Sequence, residues 1–145
     1  MLDSALRQLS FELGDPHISD LSTLTMAVHG PTAYCLALLA SRGSNPLGAV
    51  LATPVFSTSK GGGGIYVSDL WVAENARGIG LARRLMAATL REASQRNTGR
   101  FLKLTVYRNN HGARSAYDRL GFIASADENN MFLTGAALET LRASV

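Results

Sequence analysis

The sequence predicts an α/β domain, layered in the α+β manner, with a mixed sheet flanked by helices. Three observations lead there. An apolar stripe at helical spacing opens the chain, in Leu2, Leu6, Leu9 and Leu13. Three strand-like runs then follow one another between residues 33 and 72. Beyond them, helix-like and strand-like runs alternate, the order expected when helices cover a sheet.

The elements are read in order. Leu2 to Leu13 is a helix, with Asp3 or Ser4 as cap and Gly14-Asp15-Pro16 as its stop. Ile18 to Val28 is ambiguous and leans helical. Ala33 to Ala40 is an apolar strand, Leu47 to Phe56 the next, and Ile65 to Val72 a third, with Val67, Asp69 and Trp71 alternating against their neighbours. Gly61-Gly62-Gly63-Gly64 reads as a flexible hairpin loop. Leu81 to Arg96 is an amphipathic helix with Ala82, Leu85, Met86, Leu90 and Ala93 on its apolar stripe. Phe101 to Tyr107 is a strand. Asn109 or Asn110 caps a short helix that Leu120-Gly121 ends. Phe122 to Ala126 and Asn130 to Leu133 read as short strands, and Ala136 to Ala143 as a last short helix.

Composition narrows the class. A chain of 145 residues suits a single domain, residues 1–145, with a real core. A hydrophobic content of 46% with 17% charged residues is ordinary for a globular protein. No apolar run approaches the roughly 20 residues that span a bilayer, and Met1-Leu2-Asp3-Ser4 lacks a signal-peptide pattern. A cytoplasmic protein without membrane attachment is the expectation. One cysteine, Cys35, forms no internal disulfide and reads as a small core residue, and no Cys/His spacing suggests a metal. His17 and His29 read as surface residues, and His111 as a solvated residue at a helix start or a contact for a ligand. The net charge of +3 is unevenly spread: residues 77–119 carry ten basic groups and two acids, whereas residues 1–76 carry three basic groups and six acids. The basic segment suits a polyanionic ligand, or is simply a solvated helix face.

That segment begins with Arg77-Gly78-Ile79-Gly80-Leu81-Ala82, at the junction of a strand and a helix. A glycine turn there leaves backbone N–H groups unpaired beside the positive end of a helix dipole, which together attract an anion. Two familiar phosphate sites are excluded. A dinucleotide fingerprint needs a third glycine where Arg83 stands, close to the first strand. A P-loop needs a lysine after the glycines, and none follows.

A third pattern fits. In chain order, Asp69-Leu70-Trp71-Val72, Arg77-x-x-Gly80-x-Ala82 and Asn110-x-x-Ala113-x-x-x-Tyr117-x-x-x-Gly121-Phe122 resemble the GCN5-related N-acetyltransferase (GNAT) superfamily, over roughly residues 46–133. The resemblance implies a splayed mixed sheet and an enzyme that moves an acetyl group from acetyl-CoA to a primary amine by direct attack in a ternary complex, with no metal. It implies that Arg77, Gly78, Ile79, Gly80, Leu81 and Ala82 hold the pyrophosphate, mainly through backbone N–H groups. It implies that Leu70, Trp71 and Val72 pair with the pantetheine arm as a strand would, and that a strand N–H near Val72 stabilises the tetrahedral intermediate. Asn110 and Ala113 belong to the same cofactor surface, and Tyr117 gives a proton to the departing thiolate. A phenol with a pKa near 10 stays protonated at neutral pH, so the role suits it. Read singly, Tyr117 is a helix aromatic in the core.

The acceptor raises its own difficulty. An amine with a pKa of about 10.4 is neutral in roughly one molecule in 2,500 at pH 7. Asp69 serves as a base through water, binds the cationic acceptor, or is structural; all three readings stay open, and Glu74 is a weaker candidate. Trp71 walls the acceptor site, packs in the core, or meets a second copy in a homodimer. The acidic first half favours a cationic amine, small or on a protein. Two other readings remain: a non-catalytic acyl-CoA-binding domain, and an acetyltransferase acting on charged tRNA, nucleic acid being otherwise an unexpected partner.

Overall fold

The structure, a computed structural model, describes residues 1–144. It divides into two compact units, Met1–Tyr107 and a second from Arg108 onward.

The first unit is a four-stranded sheet with helices on both faces. Helix α1 (Leu2–Leu13) ends on Gly14, whose φ of 74° is the left-handed stop expected of glycine. Its N-cap is Met1, with no side-chain cap, so neither Asp3 nor Ser4 takes the capping position. The ambiguous segment is helix α2 (Leu21–His29), started by Asp20, whose carboxylate accepts from the Thr23 N–H at 2.7 Å.

Strands β1 (Leu36–Arg42), β2 (Asn45–Ser57) and β3 (Gly62–Val72) form an antiparallel meander, and β4 (Leu102–Leu104) lies parallel to β3. Helix α3 (Leu81–Gln95) makes the crossover from β3 to β4. Adjacent residues of β2 face opposite helices. Ala49, fully buried, packs with Ala5 of α1 and with Trp71. Gly48 faces α3, where an added Cβ would lie 2.8 Å from Leu85 and 3.2 Å from Leu81.

Glycine also shapes the β2–β3 hairpin, in a way that corrects the flexible-loop expectation. Gly62, Gly63 and Gly64 are the first three residues of β3. A Cβ on Gly63 would stand 2.7 Å from the Asn97 carbonyl oxygen, and one on Gly64 would stand 2.5 Å from the Phe101 ring. The run is glycine because the neighbouring chain passes directly over it.

Two features open the sheet between β3 and β4. The β2 register steps from Leu51↔Asp69 to Ala52↔Val67, leaving Ser68 as the extra residue of a bulge. A bulge bends its strand and increases its twist. Ladder pairing with β4 stops at Val67↔Leu104. The strand expected over Phe101 to Tyr107 is therefore cut to three residues, and the chain leaves the sheet to Tyr107, whose hydroxyl donates to the Asp15 carboxylate at 2.9 Å.

The second unit holds α4 (His111–Leu120) and α5 (Gly135–Arg142). The short strands expected over Phe122 to Ala126 and Asn130 to Leu133 do not form. A strand needs a neighbour to satisfy its backbone, and no strand pairs with these runs. Ile123, Met131 and Phe132 consequently stand 94%, 90% and 88% exposed.

Candidate active site

The chain after β3 turns through a short 3-10 segment, Glu74–Ala76, into the glycine turn. Gly78 and Gly80 both have φ of 77°, a left-handed conformation that a side chain resists. No protein atom lies within 4 Å of where their Cβ atoms would be. Backbone conformation therefore requires glycine here, while the space beside both residues is open. Gly80 caps α3 without any side-chain bond. Arg84 is the first residue of that turn to bond back, its N–H donating to the Gly80 carbonyl at 3.1 Å. Ahead of it, the N–H groups of Leu81, Ala82 and Arg83 begin the helix without an intrahelical acceptor, the arrangement that draws an anion to a helix start.

Arg77 lies elsewhere than a free phosphate ligand would. Its Nη2 donates to Glu12 Oε2 at 2.6 Å, and its Nε donates to the Val72 carbonyl at 3.0 Å. Glu12 also accepts from Trp71 Nε1 at 3.2 Å and from Gln8 Nε2 at 3.1 Å. Burial alone would push the Glu12 carboxyl up, but these hydrogen bonds and the Arg77 charge together hold it below its usual value.

The last residues of β3 form an open edge. The Ala73 N–H donates to the Leu47 carbonyl, towards β2. Strand alternation then puts the N–H and C=O of Leu70 and Val72 on the opposite edge, where β4 no longer pairs. Trp71 has its indole in the core at 7% exposure, against Ala5, Ala49, Leu2, Leu9 and Ala73. Of the three positions offered for that ring, the core is the one it takes.

Asp69 follows the bulge and is half-buried. Loss of water raises its pKa, with the Ser68 hydroxyl and His17 pulling the other way. His17 is not a surface residue. Its side chain is 15% exposed, its Nδ1 lies 3.1 Å from Ser10 Oγ, and its Nε2 lies 3.7 Å from Asp3 Oδ1. Cys35 is also half-buried, and desolvation, followed by the Asp69 charge, pushes its thiol up, which keeps it a poor nucleophile.

In the second unit, Asn110 is the N-cap of α4, its side-chain oxygen accepting from the Ala113 N–H at 3.1 Å. Tyr117 is half-buried with its ring edge-on to Phe122, centroids 5.7 Å apart. Burial raises its pKa, so the phenol is held protonated. Glu12 was not singled out in the sequence, and His17 was read there as a surface residue. No local motif marks Glu12, because its partner Arg77 is 65 residues away.

A glycine turn with free N–H groups thus follows directly on a strand with an open edge, a surface suited to an extended ligand that carries an anion. The sequence matches the Acetyltransferase (GNAT) family over residues 4–122, and the chain belongs to that family, whose members are N-acyltransferases. No protein of curated function matches. Among solved structures, an integron cassette protein from the mobile metagenome of V. cholerae superposes with a TM-score of 0.75 at 22% identity, over 97% of this chain and 90% of that one. An aminoglycoside acetyltransferase from an uncultured soil metagenomic sample gives 0.71 at 16% identity, over 90% and 85%. A ribosomal-protein-alanine N-acetyltransferase from Brucella melitensis gives 0.65 at 19% identity, over 92% and 90%. These likenesses are of fold. No helix among the described residues is long and apolar enough to cross a membrane.

Proposed function

We propose that the protein transfers an acetyl group from acetyl-CoA to a primary amine, by direct attack while both substrates are bound. The observation that carries this reading is the continuity of the open β3 edge with the glycine turn. Leu70 offers strand hydrogen bonds to an extended amide-bearing arm, Val72 adds an N–H on the same edge, and a short stretch of chain joins that edge to the N–H groups at Leu81 to Arg83, which suit its pyrophosphate. The residues therefore fit the CoA group.

Each residue then has a role. Asp69, with its raised pKa, takes a proton from the ammonium of the acceptor, directly or through water, and frees the nitrogen lone pair. The nitrogen bonds to the thioester carbonyl carbon, the C–S bond breaks, and the nitrogen releases its second proton to solvent as the neutral amide forms. The Val72 N–H donates to the carbonyl oxygen as negative charge develops there. Tyr117 gives its proton to the leaving sulfur, and its raised pKa keeps that proton available. Cys35 takes no part. The acidic surroundings of residues 1–76 favour a cationic acceptor, a small amine or an amine on a protein.

Replacing Tyr117 with phenylalanine tests the assignment. Turnover is expected to fall by roughly 10²–10⁴ while CoA affinity is kept. Unchanged turnover would remove Tyr117 as the acid.

A further inference from the structure

The side chain of Arg77 begins the glycine turn yet reaches away from it. One arm of the guanidinium is held by Glu12 at 2.6 Å and the Nε is committed to the Val72 carbonyl at 3.0 Å. Glu12 is in turn fixed by the Trp71 indole, buried between α1 and the sheet, and by Gln8 one helical turn earlier. A chain of charge-assisted hydrogen bonds thus runs from α1 through Arg77 to the final residue of β3.

Its effect on Val72 follows from strand geometry. The N–H and C=O of one strand residue lie on the same edge. At Val72 that edge faces away from β2, and β4 has already ended. With the carbonyl taken by Arg77, Val72 presents a ligand with a hydrogen-bond donor and no free acceptor competing beside it. The planar fork of arginine suits this double task, whereas a lysine would reach Glu12 or Val72 but not hold both in one plane. The Arg77 charge is also matched by Glu12, so the turn attracts an anion through its backbone and helix dipole rather than through this side chain.

We infer that Glu12 and Arg77 are positioning residues: they form a strut from α1 that anchors Val72 at its carbonyl, on the edge that also carries its N–H, so that this N–H meets the thioester carbonyl oxygen. The inference rests on the transfer reading above. It assigns Arg77 a role in orienting the reaction centre and removes it from the phosphate ligands expected from the sequence.

The test compares Glu12→Gln, Arg77→Gln, Arg77→Lys and the Glu12→Gln/Arg77→Gln pair. Calorimetry with CoA measures binding, and thiol release from acetyl-CoA measures turnover. The strut predicts CoA affinity within about threefold of wild type in every variant, with kcat lowered by roughly tenfold to a hundredfold in both Arg77 variants, as expected for a misplaced reaction centre. Glu12→Gln lowers kcat in the same direction, and the double variant is no worse than Arg77→Gln because the two residues act as one unit. A fall in CoA affinity of about tenfold in Arg77→Gln, restored in Arg77→Lys and absent in Glu12→Gln, would make Arg77 a phosphate ligand and overturn the strut. If the wild type transfers acetyl to no amine, nuclear magnetic resonance of the Val72 amide during acetyl-CoA titration decides separately. A Val72 shift present in wild type and lost in Arg77→Gln and Glu12→Gln, with the Gly80 shift kept, supports the strut; an equal Val72 shift in all three overturns it.

Discussion

Asp69 illustrates how one position takes on chemistry through its surroundings. An aspartate in water has a pKa near 3.9 and is a weak base at neutral pH. The half-buried setting of Asp69 raises that value through loss of water, against the Ser68 hydroxyl and His17, which lower it. The sign of the resulting stability effect is fixed. A folded-state pKa above the unfolded value means that the native state binds the proton more tightly, so this group's contribution to stability is fully present below about pH 3.9 and is lost as pH rises through the raised value. Asp69→Asn is therefore expected to raise the melting temperature relative to wild type at pH 7 and to lose that advantage towards pH 4, while turnover falls by roughly a hundredfold or more. Thermal scans across this range check it; a melting difference that does not change with pH would contradict it. The sequence placed Asp69 on a strand but left its role open, because its burial and its approach to His17 come from the fold and not from its neighbours in the chain. A local motif drew attention to Tyr117, whereas nothing local marks the Glu12–Arg77 pair, since no sequence pattern joins residues 65 positions apart.

At the scale of elements, the legible parts were those with a local cause. α1 and α3 carry their own apolar spacing, α1 and α4 stop on the left-handed Gly14 and Gly121, and the bounds of all three agree with the sequence to within a residue or two. Gly78 and Gly80 were legible because a left-handed turn is a local property. The strands after α4 were not, because pairing depends on a distant neighbour. The glycine run before Ile65 was misread for a related reason: flexibility was inferred from residues whose absent side chains make room for Asn97 and Phe101. Gly64→Ala tests that account. A Cβ against the Phe101 ring is expected to cost about 1–3 kcal/mol, as overpacking does. Urea unfolding measures it, and a cost below about 0.5 kcal/mol would return the run to an unconstrained loop. By contrast, Gly80→Ala places a methyl into open space in a left-handed conformation, so it costs about 1–2 kcal/mol from the backbone alone.

At the scale of the whole molecule, the sequence contains a family pattern that the fold bears out: a mixed sheet, helices on both its faces, and a glycine turn after the strand that loses its neighbour. The bulge, the short β4 and the Arg77 tie all act on the same few residues, 68 to 72. These residues pack on α1 at Trp71 and present, at Leu70 and Val72, an edge that no strand covers. The central claim is that this edge and the turn after it serve acetyl transfer to an amine. The direct measurement is release of free CoA thiol from acetyl-CoA by the purified protein, with a panel of cationic, neutral and acidic amines, and mass spectrometry of each acceptor. The account predicts thiol release that depends on a cationic amine and matches a 42 Da gain on that amine, an acetyl group replacing a hydrogen. Tight CoA binding with no amine in the panel gaining an acetyl group would contradict it.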